Sequence, residues 1–238
     1  MLVCLRARRR RAQRLYIGDR SKDLADILES AADIPVERVD QKQLDALSLG
    51  VKHQGVVLRA APLPIFSLED WLQRHAEPDQ ALVILDGVED PQNFGAIARS
   101  AAACGASGLL FAKDRASPIT TAAMKAAAGG MEHLDLIQAT NLARAVAQLK
   151  EQGFWTAAFA EDASKAIWDV DFTGRIAFII GNEGVGVRRL VKERADYMVR
   201  IPLAGAISSL NASVSAGIAL AEWLRQRHGR VDGPNKGL

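Results

Sequence analysis

The sequence predicts an α/β protein: a parallel sheet with helices on both faces, preceded by a smaller α/β domain. Three observations carry this. From Leu82 onward, apolar runs alternate with helical patterns over about 145 residues, the order that βαβ units require. The first run, Leu82, Val83, Ile84 and Leu85, is apolar at every position, as a strand buried on both faces of a parallel sheet must be. Upstream, residues 14–59 repeat the alternation on a smaller scale and are followed by a proline-bearing stretch. The expected layout is a first domain at 1–62, a linker at 63–80, a second domain at 81–228 and a disordered tail at 229–238.

In the first domain, strands are expected at Leu15–Ile17, Val36–Val39 and Val56–Leu58, with helical patterns through Leu24, Ile27 and Leu28 and through Leu44 to Leu47. Pro62, Pro64 and Pro78 then flank a weak helix at Ser67–His75 with Ser67 as its cap, which reads as a hinge. After the Leu82 strand, a turn with Asp86, Gly87, Asp90 and Pro91 leads into a helix. Its Phe94, Ile97, Ala98 and Ala101 recur at core-facing spacing, while Arg99 lies about 140° from Phe94 around the axis, on another side. Further strands are expected at 109–112, 136–138, 155–159, 176–180 and 198–201, and helices at 120–128, 140–151, 187–194 and 210–227, with 164–174 irregular.

Composition narrows the function classes. Hydrophobic residues make up 49% of 238, enough for a sizeable core. No apolar run reaches bilayer-spanning length, and the arginine-rich N-terminus lacks a signal peptide's apolar region, so a cytoplasmic protein without a membrane partner is expected. Cys4 and Cys104 are the two cysteines, and His53, His75, His133 and His228 are scattered; neither a disulfide framework nor a metal site is expected. Net charge is only +2, yet Arg6, Arg8, Arg9, Arg10, Arg11 and Arg14 crowd into nine residues. That run suits either a phosphate footprint or a solvated helix face.

Two glycine- and amide-rich turns follow apolar strands between Ile179 and Asn211, where open α/β sheets bind ligands. GNEGVG is not G-x-G-x-x-G and lies near the end of its domain; no phosphate-loop motif occurs, and no G-x-S-x-G surrounds Ser208 or Ser209. Dinucleotide oxidoreductases, phosphate-loop NTPases and nucleophile-elbow hydrolases are therefore disfavoured. What remains is a polar set at the ends of apolar elements: Asn93, Arg99, Asn182, Glu183, Ser208, Ser209, Asn211 and Ser213. Singly, each has a structural explanation, such as helix capping by Asn93 or Ser209.

The segments NFGAIARSA (93–101), IIGNEGVGVRR (179–189) and IPLAGAISSLNASVSAG (201–217) resemble, in order, the three motifs of the SpoU or TrmH family of 2'-O-ribose RNA methyltransferases in the SPOUT superfamily. The likeness spans about Leu82 to Arg227. LDGVEDPQNFGAIARSA and KDRASPIT look most like the RlmB branch, which acts on a guanosine of 23S ribosomal RNA, and VKHQGVVLRA (51–60) looks like that branch's substrate-binding domain.

The resemblance implies a deep C-terminal trefoil knot, a homodimer in which Ala216, Gly217 and Ala219 pack at the interface, and S-adenosylmethionine held at Gly181, Ile201 and Leu210. No metal and no DNA partner are implied. The implied catalytic set is Asn93, Arg99, Glu183, Ser209 and Asn211. Methyl transfer to a ribose hydroxyl needs in-line approach and stabilisation of the oxygen as it loses its proton. A guanidinium is always protonated and has no acceptor, so Arg99 is assigned to holding phosphate and stabilising charge. Glu183 and Asn211 would orient the ligands, and Ser209 would bond to substrate or cofactor. Two departures stand out: only Met1–Leu5 precede Arg6, suggesting a missing first strand, and Asn182 replaces the alanine common in the RlmB branch. The alternatives are a transfer-RNA 2'-O-methyltransferase and a non-catalytic RNA-binding ribosome-assembly protein.

Overall fold

A computed structural model describes residues 1–19, 21, 24–48, 50, 52–114 and 119–231. Val51, residues 115–118 of KDRASPIT and the tail from 232 lie outside the described residues. The chain divides into two compact units, Met1–Pro64 and Ile65–Leu238.

The first unit runs α1 (Leu2–Ala7), β1 (Ala12–Gly18), α2 (Ala25–Ser30), β2 (Val36–Val39), α3 (Gln41–Leu47) and β3 (Val56–Ala60). Its sheet has the order β2-β1-β3, with β1 parallel to β2 and antiparallel to β3. Because successive strand side chains point to opposite faces, Leu15 and Ile17 pack with Leu5, Ala31 and Val56, while Tyr16 packs with Val39 and Leu44 on the other face. Residues ahead of the arginine run form a helix, α1, which ends where Arg8 turns left-handed (φ 49°) and donates its N–H to Cys4 O. The run is partly tied down: Arg8 pairs with Asp33 at 3.2 Å, Arg14 with Glu37 at 2.6 Å, and Arg10 donates to Ala61 O at 3.1 Å. Arg6 and Arg11 are exposed.

The second unit comprises β4 (Ile65–Ser67), α4 (Leu68–Arg74), β5 (Gln80–Asp86), α5 (Pro91–Ala103), β6 (Gly108–Ala112), α6 (Thr121–Ala126), β7 (Asp135–Ala139), α7 (Leu142–Glu151), β8 (Trp155–Phe159), β9 (Lys165–Ala166), β10 (Arg175–Gly181), α8 (Arg189–Lys192), β11 (Tyr197–Arg200) and α9 (Ala212–Val231), with short 3₁₀ turns at Gly130–Glu132 and Ile167–Asp169. The eight strands form one parallel sheet of order β4-β7-β6-β5-β10-β8-β11-β9. All seven residues of β5 are buried. One face of the sheet packs Leu82, Ile84, Ile137 and Ile179 against Leu68 and Trp71 of α4, Val146 and Leu149 of α7 and Val191 of α8. Helix α5 packs against both α6 and α9, and α5 and α9 contact the sheet, with Phe94 meeting Phe111 of β6 edge-on at 5.3 Å.

Within the expected linker at 63–80, the helix capped by Ser67 is present as α4, and residues from Ile65 onward group with the second compact unit. Ile65–Ser67 pairs with β7 as the edge strand, and Ser67 caps α4 by accepting the Asp70 N–H. The prolines lie outside these elements, and Trp71 is fully buried, stacked on His75 at 4.6 Å with its Nε1 donating to Asp135 Oδ2. Within the expected irregular region, Lys165–Ala166 adds a short outer strand against β11. Helix α9 continues through residues 229–231 of the expected tail. Ala216 and Ala219 are buried within their own chain and Gly217 is half-buried, so the packing role implied for the two alanines is met inside this chain.

Candidate active site

Parallel pairing of β5 with β10 sets Gly181 beside Asp86, so two loops leave the sheet side by side at its carboxyl edge. The strand order reverses here: β6 and β7 lie on one side of β5, and β10, β8 and β11 on the other. Crevices outside such switch points are where open α/β sheets hold ligands.

The loop after β10 is shaped by close backbone contact. Gly186 N–H donates to Asn182 O at 2.8 Å, Gly186 adopts φ 69°, and a Cβ on Gly181 would lie 2.2 Å from Gly186 C and 2.3 Å from Val187 N. Only glycine fits at 181. Asn182 then ties the loop to the β5–α5 turn, its Nδ2 donating to Gly87 O at 2.8 Å while its Oδ1 accepts the Gly184 N–H at 2.9 Å. Below it, the Asp86 carboxylate is buried and accepts Arg188 N–H at 2.7 Å and Nε at 2.6 Å, with the guanidinium reaching it twice.

Three of the expected catalytic residues meet directly. Asn93 in the first turn of α5 donates its Nδ2 to Glu183 Oε1 at 2.8 Å. Asn211 Nδ2 donates to Asn93 Oδ1 at 2.9 Å and to the same Glu183 oxygen at 2.5 Å. Asn211 Oδ1 accepts the Ser213 N–H at 2.8 Å, as a capping side chain does, so one residue both starts α9 and joins the cluster. The cap of α5 is Asp90, whose carboxylate takes the Gln92 and Asn93 N–H groups; Asn93 is thus released from the capping role its position suggested.

Beside this cluster opens a cavity of about 620 Å³, within the range of small-molecule and cofactor sites. Gly181, Glu183, Ile201, Ser209 and Leu210 line it, bringing the expected cofactor residues together with two of the catalytic set. Asn93, Asn211 and Arg99 lie outside its lining. Arg99 is exposed six residues beyond Asn93 on α5, roughly 9 Å along the axis at 1.5 Å per residue. Its backbone packs on Gly130, where a Cβ would come within 2.9 Å of Arg99 Cα. Among the described residues its guanidinium has no ion-pair partner.

Sequence reasoning missed the Asp86–Arg188 pair, because its members lie 102 residues apart, and it missed Glu161 and Asp162, which reach the cavity from the end of β8. At the opposite, amino-terminal edge of the sheet, Asp196 braces the start of β8 against the start of β11. Its Oδ2 accepts Thr156 N–H at 2.9 Å and Oγ1 at 2.7 Å, and its Oδ1 meets Lys150 Nζ at 2.7 Å. Burial alone would raise this carboxyl, but the hydrogen bonds from Lys150 and Thr156 outweigh it and hold it below the ordinary carboxylate value. Among the described residues, no three His, Cys, Asp or Glu side chains cluster with metal-binding geometry, and no helix is long and apolar enough to cross a membrane.

Residues 80–221 match the SpoU rRNA methylase family, and residues 2–66 match the RNA 2'-O ribose methyltransferase substrate-binding domain. The chain belongs to the SpoU rRNA methylase family. It is 42% identical over 197 residues to the 23S rRNA (guanosine-2'-O-)-methyltransferase RlmB of Vibrio vulnificus, covering 82% of this chain and 79% of that protein. It is 38% identical over 230 residues to RlmB of Pseudomonas aeruginosa, covering 94% and 92%. The SpoU methyltransferase AviRb of Streptomyces viridochromogenes shares the fold with a TM-score of 0.81 at 24% identity, over 96% of this chain and 88% of that one. AviRb in complex with AdoMet superposes with a TM-score of 0.80, again at 24% identity, over 95% and 88%. The family read from the three sequence motifs is therefore the family to which the chain belongs.

Proposed function

We propose that this SpoU-family chain transfers the methyl group of S-adenosylmethionine to a ribose 2'-hydroxyl of RNA, and that its target is a guanosine of 23S ribosomal RNA. The observation that carries the reading is the convergence of Asn93, Glu183 and Asn211 beside a cavity whose lining includes Gly181, Ile201 and Leu210. The RlmB relatives support the target.

The cavity fits the cofactor chemically. Ile180, Val199, Ile201 and Leu210 supply apolar walls for a base, the glycine loops leave backbone groups within reach, and Glu161, Asp162 and Glu183 supply the negative charge that a sulfonium ligand calls for. Gly181, Ile201 and Leu210 would hold the cofactor, which when bound supplies an electrophilic methyl group. The protein's own work is orientation and charge. Glu183 is fixed by two amide donors, so its carboxylate presents a constant direction to the ligands. Ser209, exposed at the cavity mouth, hydrogen-bonds substrate or cofactor. Arg99, whose guanidinium has no ion-pair partner among the described residues, grips a phosphate and stabilises the hydroxyl oxygen as its proton leaves to solvent.

The same reading makes the stretch 179–211, together with the last helix, a deep trefoil knot. It also makes the enzyme a homodimer, supported by the large apolar side chains exposed around this region: Val185 at 78%, Leu190 at 59% and Ile207 at 74%. Metal and DNA play no part in the scheme, and a ribosomal-RNA substrate places the enzyme in the cytoplasm, away from membranes.

The test is ribose-methylation mapping of ribosomal and transfer RNA from cells with and without the gene, joined to a methyl-transfer assay on unmodified 23S rRNA transcript. Loss of one 23S guanosine methylation is expected. Loss confined to transfer RNA would move the target, and no loss in either RNA overturns the reading.

A further inference from the structure

The loop joining α3 to β3 holds a conformation that its sequence does not favour. Val56 N–H donates to His53 O at 3.0 Å, closing a four-residue turn whose two central residues, Gln54 and Gly55, have φ of 52° and 85°. Positive φ at both positions is the mark of a type I′ turn, in which Asn, Asp or Gly takes the first place because a longer side chain is strained there. Among the described residues Arg8 and Ala128 also have positive φ without being glycine, but each sits at the end of a helix, where the left-handed region serves termination. Gln54 has no such reason.

The surroundings over-determine the turn. Gly55 O accepts both the Gly18 N–H at 2.9 Å and Ser21 Oγ at 2.7 Å. Gly55 N–H donates to His53 Nδ1 at 3.0 Å, so His53 Nε2 carries the proton and donates it to Asp45 Oδ1 at 2.9 Å. A Cβ at 55 would strike Ser21 Oγ at 2.4 Å. Every neighbour is thus pinned, while Gln54 itself is exposed and, among the described residues, makes no hydrogen bond. Strain maintained by its surroundings, with a free amide at its apex, points to a side chain presented for contact.

We infer that Gln54 reads the edge of an unpaired base in the substrate RNA. The inference rests on the reading of residues 2–66 as the substrate-binding unit. A glutamine amide offers one donor face and one acceptor face, which matches the paired donor and acceptor of a nucleobase edge. Protein recognition of RNA sequence is directed chiefly at splayed, single-stranded bases. A turn held rigid before binding loses little freedom on contact. Exposed Lys52, two residues earlier, supplies a charge for the adjoining phosphate.

Gln54→Gly separates this role from a structural one, because glycine adopts the turn without strain. With full-length protein and unmodified 23S rRNA transcript, Gln54→Gly should raise the KM for RNA about tenfold. It should keep kcat at saturating RNA and the S-adenosylmethionine Kd within about twofold, and melt no lower than wild type. Affinity for a homopolymer RNA should stay unchanged. A wild-type KM for the transcript in Gln54→Gly, or an equal loss on transcript and homopolymer, overturns the inference. Wild-type protein that fails to methylate the transcript overturns instead the function proposed for the whole chain.

Discussion

Replacing Gly181 by alanine tests whether the cavity depends on backbone-on-backbone contact. The added Cβ would sit 2.2 Å from Gly186 C and 2.3 Å from Val187 N, against an optimal carbon contact of about 3.5–4.0 Å. The neighbours are main chain, so no side-chain rotation relieves the clash, and the 182–187 loop must retreat by more than about an ångström. That loop carries Glu183 and the Asn182 bond to Gly87 O. Overpacking of this kind costs about 1–3 kcal/mol, which for a chain of this size lowers Tm by about 2–4 °C per kcal/mol. Calorimetry with S-adenosylmethionine should show a further loss of at least about tenfold in affinity, equivalent to about 1.4 kcal/mol. A Gly181→Ala protein with wild-type Tm and wild-type cofactor Kd would refute the reasoning, because it would mean the loop can move away without disturbing the site.

Arg99→Ala should lower kcat by about 10²–10³-fold while leaving the S-adenosylmethionine Kd nearly unchanged; full turnover would remove Arg99 from the mechanism. Asn211→Asp keeps the cap on α9, since aspartate caps as well as asparagine, but sets a second carboxylate where Glu183 now accepts an amide at 2.5 Å. Activity should fall with little loss of Tm, and the residual rate should acquire a new pH dependence as one of the paired carboxyls is driven upward; an unchanged pH profile would show that the two groups do not touch. Asp196→Asn probes the brace between the amino-terminal ends of β8 and β11. Because the Asp196 carboxyl is held below its ordinary value in the folded protein, its contribution is present above the unfolded pKa of about 3.9 and is lost as pH falls through the folded pKa. The Tm gap between wild type and variant should therefore be full at neutral pH and shrink below about pH 4; a gap independent of pH would locate the effect elsewhere.

Periodicity and apolar runs made most of the sheet legible. The apolar run at 82–85 could be nothing but an inner strand, and Phe94, Ile97, Ala98 and Ala101 are all fully buried on the face their spacing indicated. The failures have local causes. Ile65–Ser67 has too few residues to show a period, and it was hidden between prolines. The helix expected at 187–194 begins only at Arg189, because Arg188 stays extended (ψ 145°) with its N–H and guanidinium committed to Asp86. The last helix starts at Ala212 for a similar reason, its first turn being capped by Asn211. Gln54 was invisible because strain is a property of φ, and the sequence around it reads as an ordinary turn.

The site residues share one topological property that explains both what the motifs captured and what they could not. Asn93 with Glu183, Asn93 with Asn211, Asn182 with Gly87 and Asp86 with Arg188 are separated by 90, 118, 95 and 102 residues. Each joins the β5–α5 junction, Asp86 to Asn93, to the segment between Asn182 and Asn211, and each depends on β5 and β10 lying side by side in register. None can form from a local stretch of chain, since the loop-closure cost of about 100 residues must be met by sheet pairing first. An ion pair with one buried member, Asp86, and one half-exposed, Arg188, is weak evidence for added stability. Its geometry explains it better as a positioning device. By holding Arg188 extended, Asp86 fixes where the 182–187 loop turns back over Gly181, and so where Glu183 meets the two asparagines.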